Sequence, residues 1–184
     1  KFLMSRHFCD VVFIVGPDET KIPAHIAIIA ARSQYLKTKI IAAKECQNQH
    51  FEKLFGTTEV NFSAETPQLE VKMPIIQPDA FEMVLSYIYT DIIDFKDPFN
   101  KKIVVLMMQV YLLSQQFNIP RLEQLCVQYL EFKIAKSNVL EALCNCDKLN
   151  LQLIKDYCMN YIIKEDHFQE IVNCSDFETL EKPL

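Results

Sequence analysis

The sequence predicts an α+β fold: a small sheet packed on helices, followed by an all-α helical bundle. Three observations carry this. The segments that read as strands all lie within the first 73 positions. From Pro78 onward apolar residues recur with the period of an α-helix. Half of the 184 residues are apolar and 23% are charged, enough to build a core with an ordinary charged surface.

The first strand is expected at Asp10–Val15, Asp-Val-Val-Phe-Ile-Val, stopped by the turn signal Gly16-Pro17-Asp18. Thr20–Pro23 returns as its hairpin partner. Ala24–Ala31 is apolar and Ala-rich, and Ala is depleted in strands, so a short buried helix is expected there. Ser33 can cap a second helix running to about Ala43. Between Lys44 and Pro67 the apolar period is lost among Gln, Asn, Thr and Glu around Gly56, which predicts a long mobile loop over 44–67. Leu69–Met73 alternates as a strand and is stopped by Pro74.

The helices follow. Pro78 and Asp79 open one that places Phe81, Val84, Leu85 and Ile88 at i, i+3, i+4 and i+7. The next carries Ile103, Met107, Val110, Leu113 and Phe117 on one face. Pro120 begins a third with Leu122, Leu125, Cys126 and Tyr129 inward. Ser137 can cap a fourth with Val139, Leu140 and Leu143, and Asn150 a fifth with Leu151, Ile154, Cys158 and Ile162. A short sixth covers about His167–Val172.

Composition removes several function classes. Residues 1–135 hold 14 basic and 15 acidic groups, and residues 136–184 hold 5 and 9. No Lys/Arg cluster exceeds a pair such as Lys101-Lys102, whereas a nucleic-acid binder needs a positive stripe against phosphate. The longest apolar runs, Ile26–Ala31 and Ile103–Met108, are far short of the roughly 20 residues that cross a bilayer, so no direct membrane insertion is expected. The only glycines are Gly16 and Gly56, too few for a Gly-rich phosphate cradle. No Gly-x-Ser-x-Gly elbow occurs.

Candidate chemical groups read more simply as structure. The seven cysteines are odd in number and mostly lie in apolar helical patterns, where Cys acts as a small hydrophobe and a reducing compartment fits. Cys144-x-Cys146 has the wrong spacing for zinc, and residues two apart on a helix do not face one another. His7 and Cys9 would share a face in an extended segment, but a domain edge leading into the first strand explains them better than a Cys–His dyad. The Glu165-Asp166 pair beside His167 reads as a solvated helix end, and Met107–Tyr111 as core or partner surface. The expectation is a binding module with no catalytic residue, no cofactor and no metal.

One resemblance is specific in order and spacing. Phe8-Cys9-Asp10-Val11-Val12-Phe13, then Pro23-Ala24-His25, then Ala30-Ala31-Arg32-Ser33-Gln34-Tyr35-Leu36 resembles the signature of the BTB/POZ family. Phe81–Asp91, ending Ile88-Tyr89-Thr90-Asp91, looks like that family's later helix, and residues 120–172 are similar to the helical pairs of a BACK domain. The resemblance implies a BTB/POZ domain over 1–117 and a partial BACK domain over 118–184. Lys1 at the start and Leu184 at the end lead us to expect a segment of a longer chain.

Among BTB–BACK proteins the sequence is most like kelch–BTB–BACK adaptors. That implies a non-catalytic adaptor of a cullin-3 ubiquitin ligase, homodimeric, whose kelch repeats outside these residues bind Ras-type small GTPases. The cullin-facing surface would comprise Ala43, Lys44, Glu45, Tyr89, Asp91, Lys96 and Phe99. In cullin-binding relatives a hydrophobic-x-Glu motif follows the helix after the Arg-Ser pair, and here Ala43-Lys44-Glu45 stands in its place, with alanine for the large apolar residue. The dimer surface would include Phe2, Leu3, His7, Phe8 and Asp10. A self-associating scaffold, or a transcriptional regulator without direct cullin binding, is the alternative. Corepressor binding in the family uses Asp10 with a basic residue after Ala-His, where Ile26 stands here, and Asp10 is then left to bond locally or to Arg32. A cytoplasmic location is expected, with endomembrane association through partners or missing regions.

Overall fold

The computed structural model describes residues 8–55, 69–93 and 102–173. The chain forms two compact units, one from Lys1–Phe95 with Leu112–Pro120, the other from Lys96–Tyr111 with Arg121–Leu184.

The first unit is built on a three-stranded sheet of order β2-β1-β3, where β1 is Val11–Val15, β2 is Thr20–Ala24 and β3 is Leu69–Met73. β1 pairs antiparallel with β2, Val11 opposite Ala24, and parallel with β3, Val11 opposite Leu69. All five β1 residues are buried, as suits a central strand covered on both faces, while β3 alternates buried and exposed. Gly16 closes β1 at φ +76°, a left-handed conformation that glycine adopts without strain, and its N–H donates to the Met73 carbonyl at 3.1 Å.

A parallel β1–β3 pair requires a crossover, supplied here by α1 (Ile26–Arg32) and α2 (Gln34–Phe55). Ser33 lies between them, buried. Its Oγ accepts the Leu36 N–H at 3.3 Å, capping α2 as the sequence predicts, and donates to the Phe117 carbonyl at 2.9 Å. α3 (Pro78–Thr90) buries Phe81, Val84, Leu85 and Ile88, with Pro78 in the first turn. The Phe13 and Phe81 rings lie 5.0 Å apart, Phe81 meets Phe117 edge-on at 6.1 Å, and Tyr35 stacks on Phe117 at 5.3 Å. This aromatic chain joins strand, α3, the end of α4 (Ile103–Gln116) and α2 into one core.

The second unit is helical among its described residues. α5 (Pro120–Lys133) buries Leu122, Cys126 and Leu130, and α6 (Val139–Leu149) and α7 (Gln152–Ile163) pack against each other, followed by α8 (Glu165–Val172). Cys146 of α6 and Cys158 of α7 are buried and hydrogen-bonded to one another, which with burial pushes the Cys146 thiol up.

Three local expectations need correction. The loop expected over 44–67 does not begin at Lys44: α2 continues through Phe55. From Ala42 to Phe55 there is neither Pro nor Gly, only residues a helix tolerates, and positions 42–48 are mostly exposed, so lost apolar periodicity did not mark the end of the helix. Positions 56–67 lie outside the described residues. The residue capping α6 is Asn138, not Ser137. The Asn138 side chain accepts the Ala135 N–H at 2.7 Å and donates to the Lys133 carbonyl at 2.9 Å, folding the linker before the helix starts. Asn150 ends α6 at φ 54° instead of starting α7, whose cap is Leu151. Asparagine tolerates the left-handed conformation that closes a helix.

Candidate functional site

Of the sequence-predicted site residues in the described structure, Asp10, Tyr89 and Asp91 gather around α1, while Ala43, Lys44 and Glu45 lie along α2. Asp10, just before β1, turns its Oδ1 to the Ile26 N–H at 2.7 Å. That N–H is an orphan donor of the first turn of α1, so Asp10 acts as a cap supplied from another element. Of the two roles expected for Asp10 the local bond forms, and Arg32 is engaged elsewhere.

Tyr89 and Asp91 at the end of α3 hold the two ends of α1. The Tyr89 hydroxyl accepts the His25 N–H at 2.8 Å and lies 2.8 Å from Nδ1 of the same residue. The rings meet edge-on at 5.9 Å. Burial pushes the Tyr89 phenol up, against the opposing effect of the His25 backbone bond. At the other end of α1, Arg32 forms a two-pronged pair with Asp91, Nη1 to Oδ2 at 3.1 Å and Nη2 to Oδ1. The hydrogen bond to Asp91 raises the Arg32 guanidinium further, so it stays charged. Asp91 itself closes α3 in the left-handed conformation at φ 58°. Both Tyr89 and Asp91, expected as partner contacts, thus make intramolecular bonds that fix α1.

Along α2 the buried positions Leu36 and Ile40 form a narrow stripe, and Ala43 continues it, half-buried. Lys44 and Glu45 are exposed. The large apolar side chain on their face is Ile41, 46% exposed and one turn before Glu45. Sequence reasoning missed it because the hydrophobic-x-Glu spacing points to Ala43; the i, i+4 relation of Ile41 to Glu45 is the signal that marks it. Ile92, next to Asp91, is a second exposed apolar side chain at 66%. Phe8 is 95% exposed, while Phe2, Leu3, His7, Lys96 and Phe99 lie outside the described residues.

The Cys9 Sγ is 4.0 Å from Nε2 of His25, and His7, its expected dyad partner, lies outside the described residues. Cys144 and Cys146 differ in environment, half-buried and buried, with Cys146 bonded to Cys158. Among the described residues no cluster of three or more His, Cys, Asp or Glu side chains is arranged to hold a metal ion. No helix among them is long and apolar enough to cross a membrane.

Comparison with known proteins matches the same region. The model of the BTB/POZ domain family matches residues 1–134. The chain is 48% identical over 192 aligned positions to the leucine-zipper-like transcriptional regulator 1 homolog of Drosophila melanogaster, covering 100% of this chain and 20% of that protein. It is 35% identical to human leucine-zipper-like transcriptional regulator 1, over 98% of this chain and 22% of that protein. Human kelch-like protein 7 is 26% identical over 96% of this chain and 25% of its own length. The chain therefore spans about a fifth to a quarter of the curated relatives it matches. Among solved structures, the BTB domain of human gigaxonin aligns with 70% of this chain at 20% identity and a TM-score of 0.44.

Proposed function

We propose, from the premise that this chain belongs to the BTB/POZ domain family, that it is a non-catalytic adaptor unit that docks the N-terminal region of cullin-3 through the exposed face of α2. The observation that carries this reading is the Ile41–Lys44–Glu45 face: an apolar side chain and two charges on an exposed helix, beyond the stripe that packs inward. A large apolar anchor rimmed by charge is the composition of an interface hot spot. Ile41 supplies the anchor that Ala43 does not. Tyr89 and Asp91 belong to the same proposed cullin-facing surface, and their bonds to His25 and Arg32 also fix α1.

Residues 118–184 are the partial BACK domain of this reading. Self-association would use Phe2, Leu3, His7, Phe8 and Asp10. The substrates, Ras-type small GTPases, would be bound by kelch repeats outside these residues, and the assembly would work in the cytoplasm, including at endomembranes reached through partners. Similarity to leucine-zipper-like transcriptional regulator 1 and to kelch-like protein 7 supports the adaptor class.

Calorimetry with a cullin-3 N-terminal fragment tests the reading. Binding in the nanomolar-to-micromolar range is expected, weakened at least about 10-fold by Ile41→Asp or Glu45→Lys, equivalent to about 1.4 kcal/mol. Absence of heat with the unsubstituted chain overturns cullin docking. A second reading, a self-associating scaffold, is favoured by the exposed Phe132, Ile163 and Phe168 of the second unit. It predicts a concentration-dependent mass in light scattering that survives Glu45→Lys.

A further inference from the structure

Where β1 begins, three side chains from separate parts of the first unit stand in line. Cys9 Sγ is 4.0 Å from His25 Nε2, and His25 Nδ1 is 2.8 Å from the Tyr89 hydroxyl. The His25 backbone N–H is bonded to the same hydroxyl at 2.8 Å, which holds that hydroxyl beside the ring. In the tautomer that donates Nδ1–H to the phenol oxygen, that oxygen accepts two N–H groups, and Nε2 presents its lone pair to the thiol. A thiol, an imidazole within reach of it, and a third group orienting the imidazole are the parts that activate a cysteine nucleophile. Burial, which keeps the Tyr89 phenol protonated, leaves it neutral in this role. Asp10 is the nearby carboxylate that would oppose a thiolate, and its Oδ1 is occupied by the Ile26 N–H.

We propose that Cys9 is a covalent modification site for α,β-unsaturated carbonyl compounds, with His25 as the base and Tyr89 as the positioning residue. The thiol is half-buried, within reach of a small reagent, and the neighbouring Phe8 side chain is exposed, offering an apolar surface to the reagent's carbon skeleton. The step is a conjugate addition. The S–H proton passes to His25 Nε2 as sulfur bonds to the β-carbon of the reagent. The carbon–carbon double bond opens towards the carbonyl, and the resulting enolate takes the proton back from Nε2 at its α-carbon. The product is a thioether and a neutral imidazole, with no oxidant, reductant or released group. The reaction is stoichiometric, and it is independent of whether cullin-3 binds.

The experiment is timed labelling of the whole chain with acrylamide, read by peptide mass mapping. Cys46, on the exposed side of α2, is the internal reference. Cys9 is expected to react at least about 10-fold faster than Cys46, a conservative fraction of what a positioned base supplies. His25→Gln should bring Cys9 to or below the Cys46 rate while Cys46 is unchanged. Tyr89→Phe, which keeps the ring packed, should lower the Cys9 rate several-fold. A variant that had lost its fold would announce itself differently, by labelling of the buried Cys126, Cys146 and Cys158; the comparison of Cys9 with Cys46 in the unsubstituted chain then decides alone. Cys9 reacting no faster than Cys46 overturns the proposal, and so does a Cys9 rate insensitive to His25→Gln in a folded variant.

Discussion

The Ser33 hydroxyl donates to the Phe117 carbonyl across 84 positions of sequence and, in the same geometry, accepts the N–H that begins α2. One buried oxygen thus satisfies two backbone groups from different elements. Ser33→Ala removes both bonds and leaves the Phe117 carbonyl buried without this donor. An unsatisfied buried group costs about 1–3 kcal/mol. Urea denaturation should show the unfolding free energy falling by that amount, as a lower midpoint with the slope unchanged.

Gly16→Ala should destabilise the sheet. A Cβ there would lie 3.2 Å from Cγ and Cδ of Pro78, and the φ of +76° is strained for any other residue. A left-handed non-glycine residue costs about 1–3 kcal/mol. The urea midpoint should fall accordingly, and Pro78→Ala in the same background should recover only the steric part.

Helix α2 extends through Phe55, so a proline at the exposed Cys46 would interrupt it. Cys46→Pro removes an internal hydrogen bond and clashes with the preceding turn, at about 3 kcal/mol or more. Loss of helical ellipticity in far-UV circular dichroism is the expected outcome. A chain that is already a loop at this point would lose none.

Alkaline pH should weaken the second unit. Burial, aided by Glu123, pushes the Cys126 thiol up to about 12 from an ordinary value near 9. Below the ordinary value both folded and unfolded chains hold the proton, and the thiol has no pH effect. Between roughly 9 and 12 the unfolded chain has released it while the folded chain keeps it, so stability falls as pH rises. The slope for one such group approaches about 1.4 kcal/mol per pH unit. Chemical denaturation of the unsubstituted chain and of Cys126→Ala at successive pH values checks this: the variant is less stable at pH 8 and shows the shallower decline.

The elements that sequence made legible are those with a dense local signal. β3 at Leu69–Met73 lies where alternation and Pro74 put it, and α3 starts at Pro78 as the proline and the apolar period required. The continuation of α2 past Ala43 was illegible because positions 44–48 are mostly exposed and offer no apolar stripe to read. The α6 cap was misassigned because Ser137 and Asn138 are both good caps by type, and only the Asn138 bonds to Lys133 and Ala135 decide between them. At the site, Tyr89 and Asp91 stood out by motif, but their partners His25 and Arg32 lie 64 and 59 positions away, and no local pattern encodes such a pairing. Ile41 was visible in the sequence as an apolar residue; its exposure was not.

The strand order β2-β1-β3 sets a hazard during synthesis. The chain emerges N-terminus first. β1 and β2 can pair as soon as they leave the ribosome, yet the other edge of β1 waits for Leu69–Met73, beyond the whole of α1 and α2. Until then Val-Val-Phe-Ile-Val offers a flat, uncharged edge of unpaired backbone groups, the kind of segment that recruits strands from neighbouring chains. A two-stranded hairpin is itself marginal in water. Slowing translation between residues 24 and 69 should therefore raise the aggregated fraction, and a chaperone that covers short apolar strands should act on this chain before β3 is made.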